Sequence, residues 1–157
     1  MTDFGRLLED LNEAGVRYVL IGGIALIRHG VVRATRDVDA VFDPDPANVA
    51  RIQTLVSRWE ATRPDGSPLP EGKIDPARSS HLRTPLGDLD LVSESIAGIP
   101  FADLLARADK KKVDGVEAPI CSLVDLVAMK QAVGRDRDLA DLADLRAAHG
   151  DLPEIDA

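Results

Sequence analysis

The sequence predicts an α/β (α+β) fold in which helices flank a small mixed β-sheet, with further helices towards the C-terminal end. Apolar residues recur at helical spacing near both ends of the chain, and apolar and polar residues alternate between tight-turn signals in its middle. The 157 residues, 45% of them hydrophobic, suit a single domain over residues 1–157. Within it we expect a core over about 16–120 and a C-terminal helical part over about 122–149.

The first elements surround a pair of glycines. Apolar residues at i, i+3, i+4 and i+7 predict an amphipathic helix that begins near Phe4 and that Gly15 ends. Residues 16–21 are typical of a strand with both faces mostly buried. A short apolar helix, residues 24–29, follows the pair Gly22-Gly23.

The middle of the chain contains a strand, a helix and a proline-rich stretch. Residues 37–42 alternate as a strand whose second, fourth and sixth residues we expect in the core. Asp45 followed by Pro46 predicts a helix start at which the Asp45 carboxylate caps the helix. Residues 63–80 predict a long mobile surface loop.

The second half predicts two hairpins and three helices. One hairpin pairs residues 81–84 with 88–92, and the other turns at residues 113–116 between two short strands. The helices are residues 101–108, a segment that Ser122 caps and Gly134 ends, and residues 138–149.

Charge and cysteine content bound the partners and the compartment. The chain has 19 Lys and Arg against 27 Asp and Glu, a net charge of −8, which argues against non-specific DNA binding and against an anionic membrane surface. Cys121 is the only cysteine, which excludes a disulfide framework and favours a reducing cytoplasm. Because the sequence shows no membrane-spanning apolar run and no signal peptide, we expect a cytoplasmic protein with no membrane partner.

The pair Gly22-Gly23 is a candidate phosphate-binding turn. Two glycines between a buried strand and a helix let the backbone approach a ligand closely and direct N–H groups at an anion. The alternative is a tight strand-to-helix turn without a ligand.

Asp37 and Asp39 are candidate metal ligands. Two residues apart on a strand, their carboxylates lie on one face, with Cα atoms about 6 to 7 Å apart, and can share hard divalent cations. Such a pair beside a phosphate-binding turn is what metal-assisted phosphoryl or nucleotidyl transfer requires. The alternative is an exposed strand face paired with Arg33 and Arg36.

A third carboxylate is expected from a neighbouring strand. Asp90 lies between Leu89 and Leu91, where a carboxylate is costly to bury without a cation or partner, and we favour it over Asp88. The alternative for Asp90 is a structural ion pair with Arg83.

These residues together form a recognisable signature. Residues 21–26, His29-Gly30, Arg33, Thr35 and residues 37–39 resemble the signature of the DNA polymerase β-type nucleotidyltransferase superfamily. Within it the chain is most similar to the AbiEii-like nucleotidyltransferases of abortive-infection and toxin–antitoxin systems. Lys130 and the string Arg-Asp-Leu-Ala-Asp-Leu at residues 137–142 match a late element of that group, so the resemblance runs from Val16 to Leu145.

The resemblance implies a nucleotidyltransferase fold and a role for each matched residue. Asp37, Asp39 and Asp90 would be the catalytic acids that bind Mg²⁺ in a two-metal site, and Asp90 could take the proton from the attacking hydroxyl. Gly22 and Gly23 would hold the triphosphate of the NTP substrate. The remaining nucleotide-site residues would be Arg33, Thr35 and Lys130 as contacts and Asp138 as a support from the last helix.

The implied activity is Mg-dependent transfer of an NMP from an NTP to a hydroxyl of an RNA end, a protein or a small molecule. The implied context is a toxin–antitoxin or phage-defence system with a cognate toxin or antitoxin partner. The alternative is a catalytically silent binding module that acts as an antitoxin or regulatory partner. Members of the superfamily often carry serine where this chain has Gly23, so one phosphate contact must come from backbone or be missing.

Overall fold

The computed structural model describes residues 2–69 and 74–153, and these form a six-stranded mixed sheet with seven helices. In chain order the elements are α1 (Phe4–Glu13), β1 (Tyr18–Ile21), α2 (Gly22–Arg28), β2 (Asp37–Phe42), α3 (Pro46–Arg58), β3 (Ser80–Thr84), β4 (Gly87–Val92), α4 (Glu94–Ala97), α5 (Phe101–Arg107), β5 (Asp109–Val113), β6 (Val116–Ile120), α6 (Leu123–Val133) and α7 (Asp136–His149). The α/β (α+β) class with a mixed sheet is confirmed.

The sheet runs in the order β3-β4-β2-β1-β6-β5. The two central strands, β1 and β2, are antiparallel to each other, and each has a parallel partner, β6 and β4 respectively. The edge strands β3 and β5 close antiparallel hairpins. This order places β2, which carries two aspartates, between β1, which Gly22 follows directly, and β4, which also carries two aspartates.

The core lies where the alternation of the strands predicts it. Val38 and Ala40 of β2 and Leu89 and Leu91 of β4 are buried against the helices, together with the apolar faces of α1 and α3. Because successive strand residues point to opposite faces, burial of these four side chains commits the aspartates between them to the other face.

Both predicted hairpins are confirmed, as is the cap of α6. The Ser122 hydroxyl accepts a hydrogen bond from the Asp125 N–H at 3.1 Å, and Gly134 ends the helix in a left-handed conformation. Helix α2 begins at Gly22 itself, and α7 begins two residues before the predicted Asp138. The one-turn helix α4, which Ser93 caps, was missed because four residues are too few to show a period.

The predicted cap of α3 is wrong. The Asp45 side chain makes no cap hydrogen bond, and the Asp45 backbone N–H instead donates to Asp43 at 3.0 Å. Buried Asn48 ties the start of this helix to the residue before β1 and the residue after β2, because it exchanges hydrogen bonds with both backbone groups of Arg17 and donates to the Asp43 carbonyl.

The proline-rich connection between α3 and β3 contains local order. Thr62 pairs with Arg83 at the edge of the sheet and with Pro68 within the connection, and Ile74 is buried. Residues 70–73 of the predicted loop lie outside the described residues, as do Met1 and residues 154–157. The single domain over residues 1–157 therefore stays a prediction. None of the described helices has the length and apolar character needed to cross a membrane.

Candidate active site

Four aspartates share one face of the sheet. The register of the parallel strands β2 and β4 pairs Asp37 with Asp88 and Asp39 with Asp90. Residues paired in this way project their side chains to the same side, opposite the buried apolar residues between them. We call Asp37, Asp39, Asp88 and Asp90 the acidic face. The structure thus brings the predicted Asp37, Asp39 and Asp90 together and adds Asp88 beside them.

The acidic face is electrostatically unbalanced. Burial, a hydrogen bond with Asp90 and repulsion from Asp90 and Asp37 raise the pKa of Asp39 from 3.8 to about 7, against one hydrogen bond from the Gly23 N–H that lowers it. Burial and repulsion from Asp90 and Asp88 also raise the pKa of Asp37. In the described part of the chain neither Asp37 nor Asp39 forms an ion pair with lysine or arginine. Arg36 and His81 lower the pKa of Asp37 less than burial and repulsion raise it, so the alternative of a face paired with Arg33 and Arg36 is wrong for the described residues.

Asp90 has a neighbour that the sequence did not suggest. His81 stands opposite Asp90 in the β3-β4 hairpin, and His81 Nδ1 lies 2.6 Å from Asp90 Oδ1. Arg83, the predicted alternative partner, stands opposite Asp88 instead. The predicted three-residue turn places His81 opposite Leu91; the observed two-residue turn pairs Thr84 with Gly87 and so brings His81 opposite Asp90.

The glycine turn is in direct contact with the acidic face. Gly22 has φ +64°, and a Cβ there would lie 2.8 Å from Asp39 Cγ and closer still to Asp39 Oδ2. A Cβ on Gly23 would lie 2.6 Å from Thr35 Oγ1. Each glycine is therefore required by a side chain that belongs to the strand β2 or to the residues just before it.

A cavity opens on the β3 side of the acidic face. It has a volume of about 240 Å³ and is lined by Asp37, Asp88 and Asp90 together with His81 and Arg83. The glycine turn lies on the β1 side of Asp39 and the cavity on the β4 side, so the carboxylates stand between the two.

The remaining predicted residues meet in a second group of charges. Lys130 of α6 lies 3.3 Å from Asp138 and 2.9 Å from Asp141 of α7, measured from Nζ to carboxylate oxygen. Arg33 reaches Asp141 at 2.8 Å, and Arg135 reaches Asp138 at 2.8 Å. We call these five residues the ion cluster.

In the ion cluster, contacts with cations offset the effect of burial on the acids. Burial would raise the pKa of Asp138, but hydrogen bonds from Arg135 and Lys130 outweigh it and hold that pKa below its usual value. Asp138 and Asp141 are both buried. Asp141, which the sequence reasoning did not select, bridges Arg33 and Lys130. The sequence feature that could have identified Asp141 is its spacing of three residues from Asp138, which places both side chains on one side of a helix.

The acidic face has the donor chemistry of a divalent-cation site. In the described residues no group of three or more His, Cys, Asp or Glu side chains is already arranged to hold a metal ion. The donors fit such an ion, because carboxylate oxygens on adjacent strands are what Mg²⁺ prefers and because their mutual repulsion is relieved by a cation. Asp37, Asp39 and Asp90 are the residues that could hold it.

Comparison with known proteins identifies the family. The sequence profile described as "Nucleotidyltransferase of unknown function (DUF6036)" matches residues 3–149. The chain belongs to this family. It is a nucleotidyltransferase, which confirms that part of the resemblance, while the polymerase β-type superfamily and the AbiEii-like group stay predictions. No protein of curated function matches the sequence significantly.

Solved nucleotidyltransferase structures share the fold of this family member. An antigenic nucleotidyltransferase-like protein from Paracoccidioides brasiliensis superposes with TM-score 0.61 at 21% identity, covering 92% of this chain and 72% of that one. The lincomycin-bound lincosamide antibiotic adenylyltransferase LnuA gives 0.59 at 14% identity, with coverage of 91% and 94%. The antibiotic-resistance factor ANT(2'')-Ia gives 0.58 at 11% identity, with coverage of 94% and 82%. At these identities the likeness shows the fold.

Proposed function

We propose that the protein transfers an NMP from an NTP to a hydroxyl acceptor, with Mg²⁺ held at the acidic face. The observation that carries the proposal is the position of Asp39. Its carboxylate fills the space beside Gly22, and its position in β2 is paired with Asp90 of β4. A metal ion held by Asp39 would lie between the backbone proposed to bind polyphosphate and Asp90, the carboxylate proposed as the base.

The nucleotide side of the site comprises the glycine turn and the residues near it. Gly22 and Gly23 let the triphosphate approach the backbone closely. Arg33 and Thr35 precede β2 on the segment that packs on this turn, and both would contact the nucleotide phosphates. Lys130 would provide a further positive charge.

Asp138 supports the nucleotide side from α7. It binds Lys130 and Arg135 through both carboxylate oxygens. In this position Asp138 would orient Lys130 rather than touch the nucleotide.

Asp37, Asp39 and Asp90 are the proposed ligands of a two-metal site. Bound Mg²⁺ would neutralise the negative charge that develops on the phosphates and on the leaving pyrophosphate. Asp90 would accept the proton of the acceptor hydroxyl at a carboxylate oxygen. The contact of His81 Nδ1 with Asp90 Oδ1 fixes the orientation of that carboxylate.

The acceptor would enter the cavity beside β3. The volume of about 240 Å³ suits a small molecule or the reacting end of a larger one. LnuA is described bound to lincomycin, and ANT(2'')-Ia in complex with adenylyl-2''-tobramycin. These neighbours support a small hydroxylated acceptor for this chain, with an RNA end or a protein hydroxyl as the competing classes.

The resemblance to AbiEii-like proteins supports a role in a toxin–antitoxin or phage-defence system, with a cognate toxin or antitoxin as partner. Controlled expression in a bacterial host tests this role. If the protein is a toxin, expression of the wild type should arrest growth and expression of Asp39→Ala should not. Equal growth of the two strains would count against the toxin role.

A transfer assay tests the activity. Each α-³²P-labelled NTP is incubated with Mg²⁺, the protein and total RNA, total protein or a small-molecule extract. We expect label transfer to one fraction, loss of transfer in Asp39→Ala, and full transfer in the matched control Asp144→Ala, whose side chain is exposed on α7. Transfer by a folded Asp39→Ala protein at the wild-type rate would refute the assignment.

The silent binding module remains the second candidate, favoured by the missing side chain at Gly23. Calorimetry with Mg²⁺ and each NTP distinguishes it from the enzyme. Heat of binding without transfer to any of the three fractions would support the module and contradict the proposed activity.

A further inference from the structure

The connection between α3 and β3 contains a small β-hairpin. Residues 63–66 are Arg-Pro-Asp-Gly, with proline and glycine at the second and fourth positions of a β-turn. The Gly66 N–H donates to the Arg63 carbonyl at 2.8 Å, and the Arg63 N–H donates to the Ser67 carbonyl at 2.9 Å. Gly66 has φ +85°, the left-handed conformation that a three-residue hairpin loop requires. We call residues 62–68 the edge hairpin.

The edge hairpin is fixed to the sheet by hydrogen bonds. Thr62 and Arg83 of β3 exchange both backbone hydrogen bonds, at 3.0 Å from the Thr62 N–H and at 2.8 Å from the Arg83 N–H. Within the turn, the Asp65 carboxylate accepts from the Ser67 N–H at 2.9 Å and from the Ser67 hydroxyl at 2.6 Å. Because both the turn and its attachment are hydrogen-bonded, the tip of the hairpin has a defined position beside β3.

The tip of the edge hairpin reaches the cavity beside β3. Pro64 lines this cavity, and the other lining residues belong to β2, β3 and β4. All of those sheet residues except Leu82 have polar or charged side chains. Proline has no N–H to donate, so Pro64 presents hydrocarbon to the cavity. The cavity thus combines a polar sheet surface with an apolar wall from the hairpin.

We propose that the edge hairpin selects the acceptor, and that Pro64 is the wall that limits its size. This inference rests on the nucleotidyltransferase function proposed above and specifies how its acceptor cavity discriminates. The acceptor is a small compound that presents a hydroxyl to Asp90 and packs hydrocarbon against Pro64. The cavity volume of about 240 Å³ lies below the roughly 300–1,000 Å³ of pockets that enclose whole drug-sized ligands, so the fit of one compact group decides binding.

A wall discriminates by size only if it holds its position. Proline fixes its own φ, and the hydrogen bonds of Thr62 and Asp65 restrain the tip from both sides of Pro64. One methylene more or less in a rigid pocket changes discrimination by about 10- to 200-fold. A change of side chain at Pro64 should therefore alter the choice of acceptor without altering the nucleotide side of the site.

Pro64→Trp tests the wall by narrowing the cavity. Each protein is incubated with Mg²⁺, α-³²P-labelled NTP and a small-molecule extract, and the labelled conjugates are separated by chromatography. We expect Pro64→Trp to form conjugate at least about tenfold more slowly than wild type. Its affinity for Mg²⁺ with NTP, measured by calorimetry, should stay within about threefold. The matched control is Ala77→Trp, exposed on the same connection and outside the cavity lining, which should equal wild type in both measurements.

Pro64→Ala tests the size limit in the other direction. Alanine is compatible with the second position of this turn and removes the ring atoms that line the cavity. The chromatogram should therefore gain labelled conjugates that wild type does not form. A chromatogram identical to that of wild type would contradict a size limit set by Pro64.

Two variants at Thr62 test the attachment of the hairpin. Thr62→Pro removes the N–H that donates to Arg83, whereas Thr62→Val keeps both backbone hydrogen bonds. We expect Thr62→Pro to raise the apparent KM for the extract by about tenfold with kcat within about threefold of wild type. Thr62→Val should equal wild type in both. Melting curves of all variants distinguish a displaced hairpin from an unfolded protein.

The outcomes separate this inference from the function beneath it. Conjugate formation by Pro64→Trp at the wild-type rate, or an equal loss in Ala77→Trp, would overturn the role of Pro64 and leave the nucleotidyltransferase proposal standing. Label in RNA or protein and none in the small-molecule extract would overturn the small acceptor. Absence of transfer by the wild type to any fraction would overturn the proposed activity, and this inference with it.

Discussion

The acidic face and the ion cluster contain the same residue type in opposite electrostatic conditions. On the acidic face, aspartates stand against aspartates across paired strands, and repulsion adds to burial in raising the pKa of Asp39 and Asp37. In the ion cluster, burial also acts to raise the pKa of Asp138, yet contacts with Arg135 and Lys130 outweigh it and lower that pKa. Burial alone therefore does not decide the state of an acid in this molecule.

This difference in pairing distinguishes acids that stabilise the fold from acids that can bind a cation. Both acids of the ion cluster are already paired with cations of the chain. Carboxylates that repel each other reduce stability, and a folded protein retains such a group where function needs it. We therefore assign stability to the paired acids of the ion cluster and cation binding to the acidic face, while Arg33 and Lys130 stay the proposed phosphate contacts. The following changes test that division.

The largest effect is expected for Asp39→Asn. Loss of a charged metal ligand should lower the rate of NMP transfer by about a thousandfold or more, since several kcal/mol of transition-state stabilisation depend on it. The melting temperature should not fall, because the repulsion is removed with the charge. Single-turnover transfer assays and melting curves on the same preparation measure both. A melting temperature well below that of wild type would contradict the assignment of Asp39 to cation binding instead of stability.

Asp138→Ala should act on stability instead. It leaves the Lys130 ammonium with Asp141 alone and removes the acceptor of the Arg135 backbone N–H at the start of α7. We expect the free energy of unfolding to fall by about 3 kcal/mol in urea denaturation. Asp144→Ala, exposed on the same helix, should change it by less than about 0.5 kcal/mol. Equal effects of the two substitutions would contradict the structural role of the cluster.

The pH dependence of stability should distinguish wild type from Asp39→Asn. Below the ordinary pKa of 3.8 both folded and unfolded Asp39 are protonated. Between that value and the folded pKa of about 7, the unfolded chain releases the proton and the folded chain keeps it, so stability falls as pH rises. Asp39→Asn should therefore gain most over wild type at about pH 8 and little at about pH 4. Denaturation at both pH values measures the gain, and a constant difference would contradict the raised pKa.

The smallest of these effects is expected for His81→Ala. His81 is mostly exposed and touches the acidic face only through Asp90, so stability should stay within about 0.5 kcal/mol of wild type. Transfer should slow by about tenfold, because Asp90 loses the group that orients it. A slowing as large as that of Asp39→Asn would mean that His81 itself handles the proton.

Local rules in the sequence were sufficient to predict that Asp37 and Asp39 share a face and that Asp90 projects away from the core, but not that Asp88 joins them. Alternation of apolar residues places Asp37 and Asp39 together, and the hairpin turn at Gly87 sets the phase of Asp90. The parallel pairing of β2 with β4 then aligns them.

Side-chain partners between distant elements could not be predicted in the same way. Arg33 and Asp141 are separated by 108 residues, and their contact depends on how α7 packs against the rest of the domain. The space that Thr35 takes from Gly23 likewise exists only after β2 has paired with β1. The failed Asp45 cap shows the same limit, because Asn48 fixes the helix start through a contact with Arg17, 31 residues earlier, as well as with nearby Asp43.

Mg²⁺ binding at about pH 8, followed by isothermal calorimetry and by the rise in melting temperature, tests the central claim most directly. The account predicts that wild type and Asp144→Asn bind Mg²⁺ and melt at a higher temperature in its presence. Asp39→Asn and Asp90→Asn should show neither response. An identical Mg²⁺ response in wild type and Asp39→Asn would contradict the assignment of the acidic face as the cation site.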